Sequence, residues 1–298
     1  MKLLITILLT CSLAISQAQP KEIIYGHKDG LALSMLMYLP DTASNGKVVV
    51  NVISGDWVSD YNSALKDKIV AKIYTQKGYT VFSVMHGSQP RYNISEALQD
   101  LKRAVRFIRY GAPTFKINPN SIGIVGGSSG GHLALLVATT GTDSAMKVTD
   151  EIDRVSDRVQ AVGVFYPPTD LLNFGATGFA PVNDAELLTN FGVKAAFDFK
   201  TWDEKKQSYT YSNPEERMTI SKNLSPIYAI TKDDPPALLI HGDKDDVVPI
   251  QQSQVFFDAY KKANLTADLI IKKGEGHRWS KSNVEEEMIV KWFGKYLK

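Results

Sequence analysis

Glycines crowd around two adjacent serines at Gly126-Gly127-Ser128-Ser129-Gly130-Gly131, between the apolar run Ile122-Gly123-Ile124-Val125 and a helix-like apolar segment that starts at Leu133. A strand, a turn with a serine at its apex and a helix make a nucleophile elbow. Its strained backbone brings strand and helix so close that side chains beside the serine would clash. The G-x-S-x-G pattern fits twice, around Ser128 and around Ser129. Ser128 is the candidate nucleophile, because it follows the strand by one turn residue whereas Ser129 falls inside the helix. The chemistry implied is acyl transfer. A serine hydroxyl is a poor nucleophile at neutral pH, so it needs a base within hydrogen-bond reach, itself oriented by a carboxylate.

The base must come from five histidines, His27, His86, His132, His241 and His277. Only His277 follows a late strand in a loop, Lys273-Gly274-Glu275-Gly276-His277, where small neighbours are expected to leave the imidazole exposed. His132 lies four residues beyond Ser128 on the same helix and is better placed to pack or hydrogen-bond beneath the elbow. His241 ends a strand and is expected to hold a loop. For the carboxylate, His241-Gly242-Asp243-Lys244-Asp245-Asp246-Val247-Val248-Pro249 offers three aspartates, although an Asp-rich turn is often only a solvated one. Serine first, acid next and histidine last is the chain order of elbow-type hydrolases.

These residues need a scaffold, and the hydrophobic pattern supplies one. Glu22 to Tyr25 and Leu31 to Leu39 alternate like an antiparallel edge hairpin, closed by Pro40-Asp41 and Ser44-Asn45-Gly46. Lys47 to Ile53 is almost unbroken and β-branched, as a strand buried on both faces must be. A helix with Leu65, Ile69, Ile73 and Tyr74 on one face precedes the strand Tyr79 to Val84. A second, with Ile94, Ala97, Leu101, Ala104, Val105 and Ile108, leads into the elbow strand. Strands follow at Val159 to Tyr166, Pro236 to Ile240 and Ala267 to Ile271, with helices from Gln251 to Ala263 and from Val284. Such alternation predicts an α/β fold with a mostly parallel central sheet and helices on both faces. Residues 169–231 break the rhythm and are too long for a plain loop. They are expected to form a cap-like insertion across the carboxyl ends of the strands, within a single domain of residues 19–298.

Composition bounds the rest. The chain has 298 residues, 44% hydrophobic and 22% charged, enough for a full core. A formal charge of +2 with scattered basic residues excludes the concentrated basic footprint of a nucleic-acid binder. Met1-Lys2, the apolar run Leu3 to Ile15 and Ser16-Gln17-Ala18 read as a signal peptide over residues 1–18, which implies a secreted or periplasmic protein without stable membrane insertion after cleavage. The single cysteine, Cys11, lies in that run, where lipid attachment is a minor option. A chain cleaved after Ala18 would carry no cysteine, hence neither disulfides nor thiol chemistry.

Several of these stretches resemble one superfamily, the α/β-hydrolases, and within it secreted bacterial esterases of the feruloyl- and acetyl-esterase-like, hormone-sensitive-lipase-like kind. The resemblance is carried by Gly126 to Ala134, by Asp100 to Arg109 with Asn118-Pro119, by His241 to Pro249 and by Tyr166-Pro167-Pro168-Thr169-Asp170-Leu171. It implies a serine esterase for short acyl esters of the acetyl or feruloyl type on small-molecule or carbohydrate substrates. By the same likeness Asp245 is the acid, Tyr166 lies close to the substrate, and no metal or cofactor is needed. Esterases of this kind usually carry a His-Gly-Gly-type run that supplies an oxyanion donor, but this chain has Ile53-Ser54-Gly55-Asp56-Trp57. Oxyanion donors are backbone groups, so Gly55 and Asp56 N–H, with Ser129 N–H, are the expected donors, provided the Asp56 side chain turns away. Trp57 is expected to contact substrate. Two other readings stay open: a peptidase of the same superfamily, and a non-catalytic binding protein on a hydrolase scaffold. Acyl length and oligomeric state are not readable from the sequence.

Overall fold

A computed structural model describes residues 19–143, 148–277 and 283–298. The expected leader, Cys11 included, lies outside the described residues. The main sheet contains β1 (Lys21–Lys28), β2 (Leu31–Tyr38), β3 (Val48–Ile53), β4 (Thr80–Met85), β5 (Ile122–Gly127), β6 (Ala161–Phe165), β9 (Ala237–Gly242) and β10 (Ala267–Lys272). A separate two-stranded hairpin holds β7 (Lys200–Asp203) and β8 (Ser208–Tyr211). Across the main sheet the order is β1-β2-β4-β3-β5-β6-β9-β10. β1 pairs with β2, and β2 with β4, antiparallel, while every other pairing is parallel.

Central strands are buried throughout because helices cover both faces, which is why their sequences run apolar without alternation. The period of two survives in what each side chain touches. Val48, Val50, Ile122, Ile124, Val162 and Val164 join one cluster, packed with the helices Ile94–Tyr110, Ser129–Thr139 and Gln251–Lys262. Val49, Ile53, Val81, Val125, Ala161 and Leu238 join the other, with Tyr74 and with Ile289 and Phe293 of the helix Val284–Tyr296.

One expected helix differs. The segment with Leu65, Ile69, Ile73 and Tyr74 is two helices, Tyr61–Lys66 and Lys68–Thr75, and the face through Leu65 and Ile69 is exposed, Ile69 by 74%. Between them stands Asp67, whose carboxylate accepts the Ser83 hydroxyl at 2.6 Å. The break turns Ala64 and Ala71 to the core in place of Leu65 and Ile69, beside Ile73 and Tyr74, which are buried as the sequence suggests.

Residues 169–231 leave the sheet after β6 and return before β9. They hold the helices Ala185–Asn190 and Pro214–Asn223, short 3-10 turns and the β7–β8 hairpin. Gln252 fixes the base of this insertion: its amide oxygen accepts the N–H groups of Thr169 and Asp170, both at 2.8 Å. Higher up, Arg217 donates to the carbonyls of Val182 and Phe197, tying one side of the insertion to the other.

Candidate active site

Ser128 stands between the end of β5 and the helix Ser129–Thr139 with φ 53°, the left-handed region that a serine enters only under constraint. The constraint is backbone against backbone. A Cβ at Gly126 would lie 2.5 Å from the carbonyl carbon of Gly130, and one at Gly130 would lie 2.9 Å from the Val52 carbonyl oxygen. Ser128 N–H donates to the Phe165 carbonyl at 2.9 Å, so β6 holds the apex from the side. Ser129, the first helical residue, has its hydroxyl 3.1 Å from that of Ser54 and helps join the helix to the end of β3.

The loops after β9 and β10 bring the other two groups. His277 Nε2 lies 3.0 Å from Ser128 Oγ, and His277 Nδ1 lies 2.8 Å from Asp245 Oδ2. With Nδ1–H donating to the carboxylate, Nε2 is free to accept the serine proton, a tautomer assigned from the partners. The imidazole is not the exposed ring expected from its small neighbours, since its side chain is only 11% exposed. Tyr166 packs on it, ring centres 4.5 Å apart. Tyr166, expected close to the substrate, stands at φ 37° and backs the base, with its hydroxyl 3.4 Å from where a Cβ of Gly127 would lie.

Among the three aspartates the geometry separates roles. Asp245 is enclosed and accepts four donors: Val247 and Val248 N–H on Oδ1, His277 and His241 on Oδ2. Burial pushes its carboxyl up, but these hydrogen bonds outweigh burial and hold it well below the usual carboxylate range. Asp243 is exposed and accepts Gly274 N–H at 2.6 Å, pinning the histidine loop to the acid loop. Asp246 is exposed.

His241 holds the acid loop, as its strand-end position suggests, but more closely than sequence could show. Its Nδ1 lies 2.7 Å from Ser253 Oγ, and its Nε2 reaches the Val248 carbonyl at 2.9 Å and Asp245 Oδ2 at 3.1 Å. His132 also plays the packing part expected of it. Its Nε2–H donates to the Leu224 carbonyl at 2.7 Å and its Nδ1 accepts the Trp57 indole N–H at 3.1 Å. Burial pushes this histidine down to about 4, so it stays neutral and can keep both bonds.

Gly55–Val58 forms a two-residue hairpin after β3. Gly55 N–H donates to Val58 O at 2.9 Å and Val58 N–H returns to Gly55 O at 2.8 Å, with Asp56 and Trp57 both at positive φ, 53° and 56°. The expectation for Gly55 is therefore corrected: its N–H is spent inside the hairpin. Those of Asp56, Trp57 and Ser129 have no partner among the described residues. Left-handed geometry stores strain of about 1–3 kcal/mol at a bulky residue such as Trp57, less at Asp56. Trp57 offsets it through His132 and through edge contact with Phe197, ring centres 5.2 Å apart.

Asp56, Trp57, Ser128 and Ser129 open into a pocket otherwise walled by apolar side chains. Leu171, Val182, Leu188, Phe191 and Phe197 come from the insertion, and Val248 from the acid loop. Trp57 lines the pocket, and the insertion supplies most of the wall.

Several known proteins are similar to this chain. The chain is 27% identical over 248 residues to esterase LipQ of Mycobacterium tuberculosis, an alignment covering 83% of this chain and 53% of that protein. It thus spans about half the length of the curated relatives it matches. An acetyl ester-xyloside bifunctional hydrolase from Caldicellulosiruptor lactoaceticus superposes with a TM-score of 0.73 at 23% identity, over 93% of this chain and 96% of that one. A thermophilic esterase from Thermogutta terrifontis, solved with butyrate bound, superposes with a TM-score of 0.70 at 20% identity, over 94% and 95%. These likenesses give the fold, that of the α/β-hydrolases. The BD-FAE family model matches residues 35–260, from β2 to the helix before β10, and the chain belongs to that family.

Proposed function

We propose that this chain is a carboxylic ester hydrolase working through an acyl-enzyme on Ser128. The carrying observation is the unbroken chain of hydrogen bonds from Ser128 through His277 to Asp245, at a strained apex beside backbone N–H groups that have no partner among the described residues. Ser128 Oγ attacks the ester carbonyl carbon as its proton passes to His277 Nε2. Asp245 holds the imidazolium that forms, and the N–H groups of Ser129 and of Asp56 or Trp57 face the developing oxyanion. The imidazolium then protonates the leaving alcohol. Water, deprotonated by the same nitrogen, attacks the acyl-enzyme and releases the acid.

Short acyl esters of the acetyl or feruloyl type, carried on carbohydrate, are the substrates this reading favours. Its support is membership of the BD-FAE family and the likeness to an acetyl ester-xyloside hydrolase. Action outside the cytoplasm rests on the leader-like residues 1–18 and would be checked by the N-terminal sequence of protein recovered outside the cells. Against a non-catalytic binding protein stand the N–H groups of Asp56 and Trp57, which have no partner among the described residues and can serve an oxyanion. Turnover of nitrophenyl acetate and butyrate tests the proposal. The wild type should hydrolyse both and Ser128→Ala neither, whereas equal turnover would overturn it.

A further inference from the structure

An N–H points opposite to the carbonyl of its own peptide plane, so whatever holds that carbonyl aims the N–H. In the hairpin, Gly55 O is held by Val58 N–H, which aims the Asp56 N–H. Asp56 O lies in the same plane as the Trp57 N–H, and its partner is the side chain of Gln89, in the loop after β4, at 2.7 Å. The same amide nitrogen donates to the Gly192 carbonyl at 3.2 Å, and its oxygen accepts Ala196 N–H at 3.1 Å. One side chain therefore uses both kinds of amide capacity to join the hairpin to residues 192–196 of the insertion. Phe191, Val193 and Phe197, within and beside that stretch, form part of the pocket wall next to Ser128.

We infer that Gln89 is a positioning residue: it locks the oxyanion hairpin to the insertion, so the aim of the Trp57 N–H follows where the pocket wall sits. An acyl chain that fills the pocket presses residues 191–197 into place and, through Gln89, improves the hold on the oxyanion. Longer acyl groups then raise kcat as well as lowering KM. This inference rests on the site being an esterase site, and it deepens that reading by naming how acyl length is sensed.

Two variants and two readouts test it. Gln89→Ala removes the lock. Gln89→Glu keeps an acceptor for Ala196 N–H but no donor for Asp56 O or Gly192 O, and serves if the alanine variant fails to fold. For the wild type, kcat with nitrophenyl esters should rise from acetate to butyrate. In either variant kcat should drop about tenfold with KM for acetate nearly unchanged, as expected for a misaimed donor, and the rise with acyl length should vanish. Hydrogen exchange, read without substrate, should quicken in the variants over residues 53–60 and 190–197. Unchanged kcat overturns the inference, as does a lower kcat that keeps the acyl-length rise, or unchanged exchange over 53–60. Were the wild type to hydrolyse no ester, the esterase reading and acyl sensing would both fall. Exchange would then decide separately whether Gln89 locks the hairpin.

Discussion

Replacing Asp245 by asparagine changes one atom of the site, yet every hydrogen bond around that atom resists the change. Oδ1 accepts Val247 N–H at 3.0 Å and Val248 N–H at 2.8 Å, while Oδ2 accepts His277 Nδ1 at 2.8 Å and His241 Nε2 at 3.1 Å. All four partners are donors, and an amide offers only one oxygen. Turned one way, the new NH2 faces two backbone N–H groups, which cannot change their role, at a cost of about 1–3 kcal/mol for the unmet donors. Turned the other way, it faces the imidazoles. His277 must then accept at Nδ1 and carry its proton on Nε2, where it cannot take the one from Ser128. In both cases the negative charge that stabilises the imidazolium is gone. The expected loss in kcat is about 10³–10⁴-fold, or about 4–5.5 kcal/mol of transition-state stabilisation. Steady-state hydrolysis of nitrophenyl butyrate reads it directly, with urea unfolding to separate stability from rate. Asp243→Asn and Asp246→Asn, on exposed side chains, should keep kcat within about threefold. Asp245→Asn keeping more than about a tenth of wild-type kcat, or either neighbour losing as much, would refute the reasoning.

The elbow yields a paired prediction. Gly126→Ala puts a methyl 2.5 Å from Gly130 backbone and should cost about 1–3 kcal/mol of stability and about 100-fold in kcat, because a shift near 1 Å breaks the 3.0 Å Ser128–His277 contact. Gly55→Ala meets nothing within 4 Å and leaves the hairpin bonds in place, so kcat and urea midpoint should stay near wild type. Burial pushes both His132 and His86 from 6.5 down to about 4. Between these values the unfolded chain binds protons that the folded one refuses. Stability is therefore complete above about pH 6.5 and is lost as pH falls toward 4, by at most about 1.4 kcal/mol per pH unit for each histidine. Urea unfolding from pH 7 to 4.5 checks this, and a slope unchanged in His132→Gln would contradict it.

What could be read from sequence was what short spacing encodes. The elbow announces itself because close backbone approach demands glycine at fixed offsets, and β3 and β5 announce themselves because strands buried on both faces are nearly all apolar. The order of Ser128, Asp245 and His277 needs only a parallel sheet whose loops gather at one end. Less was legible where long-range contacts overrule local preference. Gly55 looks like a free donor until Val58 closes a hairpin over it, and that hairpin carries no Asn-Gly signal because Trp57 is held at positive φ by His132 and Phe197, far along the chain. Tyr166 follows a strand that points toward the site, and only the fold shows its ring packed against the imidazole of His277. Gln89 is one polar residue in a loop, and no pattern of spacing could link it to Asp56 and Ala196. Ile69 fits a helical stripe, but the break at Asp67 turns it to solvent.

Covalent labelling by a fluorophosphonate, with the adduct located by peptide mass spectrometry, puts the central assignment to the most direct test. Ser128 should carry the adduct in the wild type, Ser129 should carry none, and Ser128→Ala should not label. His277→Ala should label far more slowly, while His132→Ala, if it folds, should still label. An adduct on Ser129, or labelling that survives Ser128→Ala, would contradict Ser128 as the nucleophile.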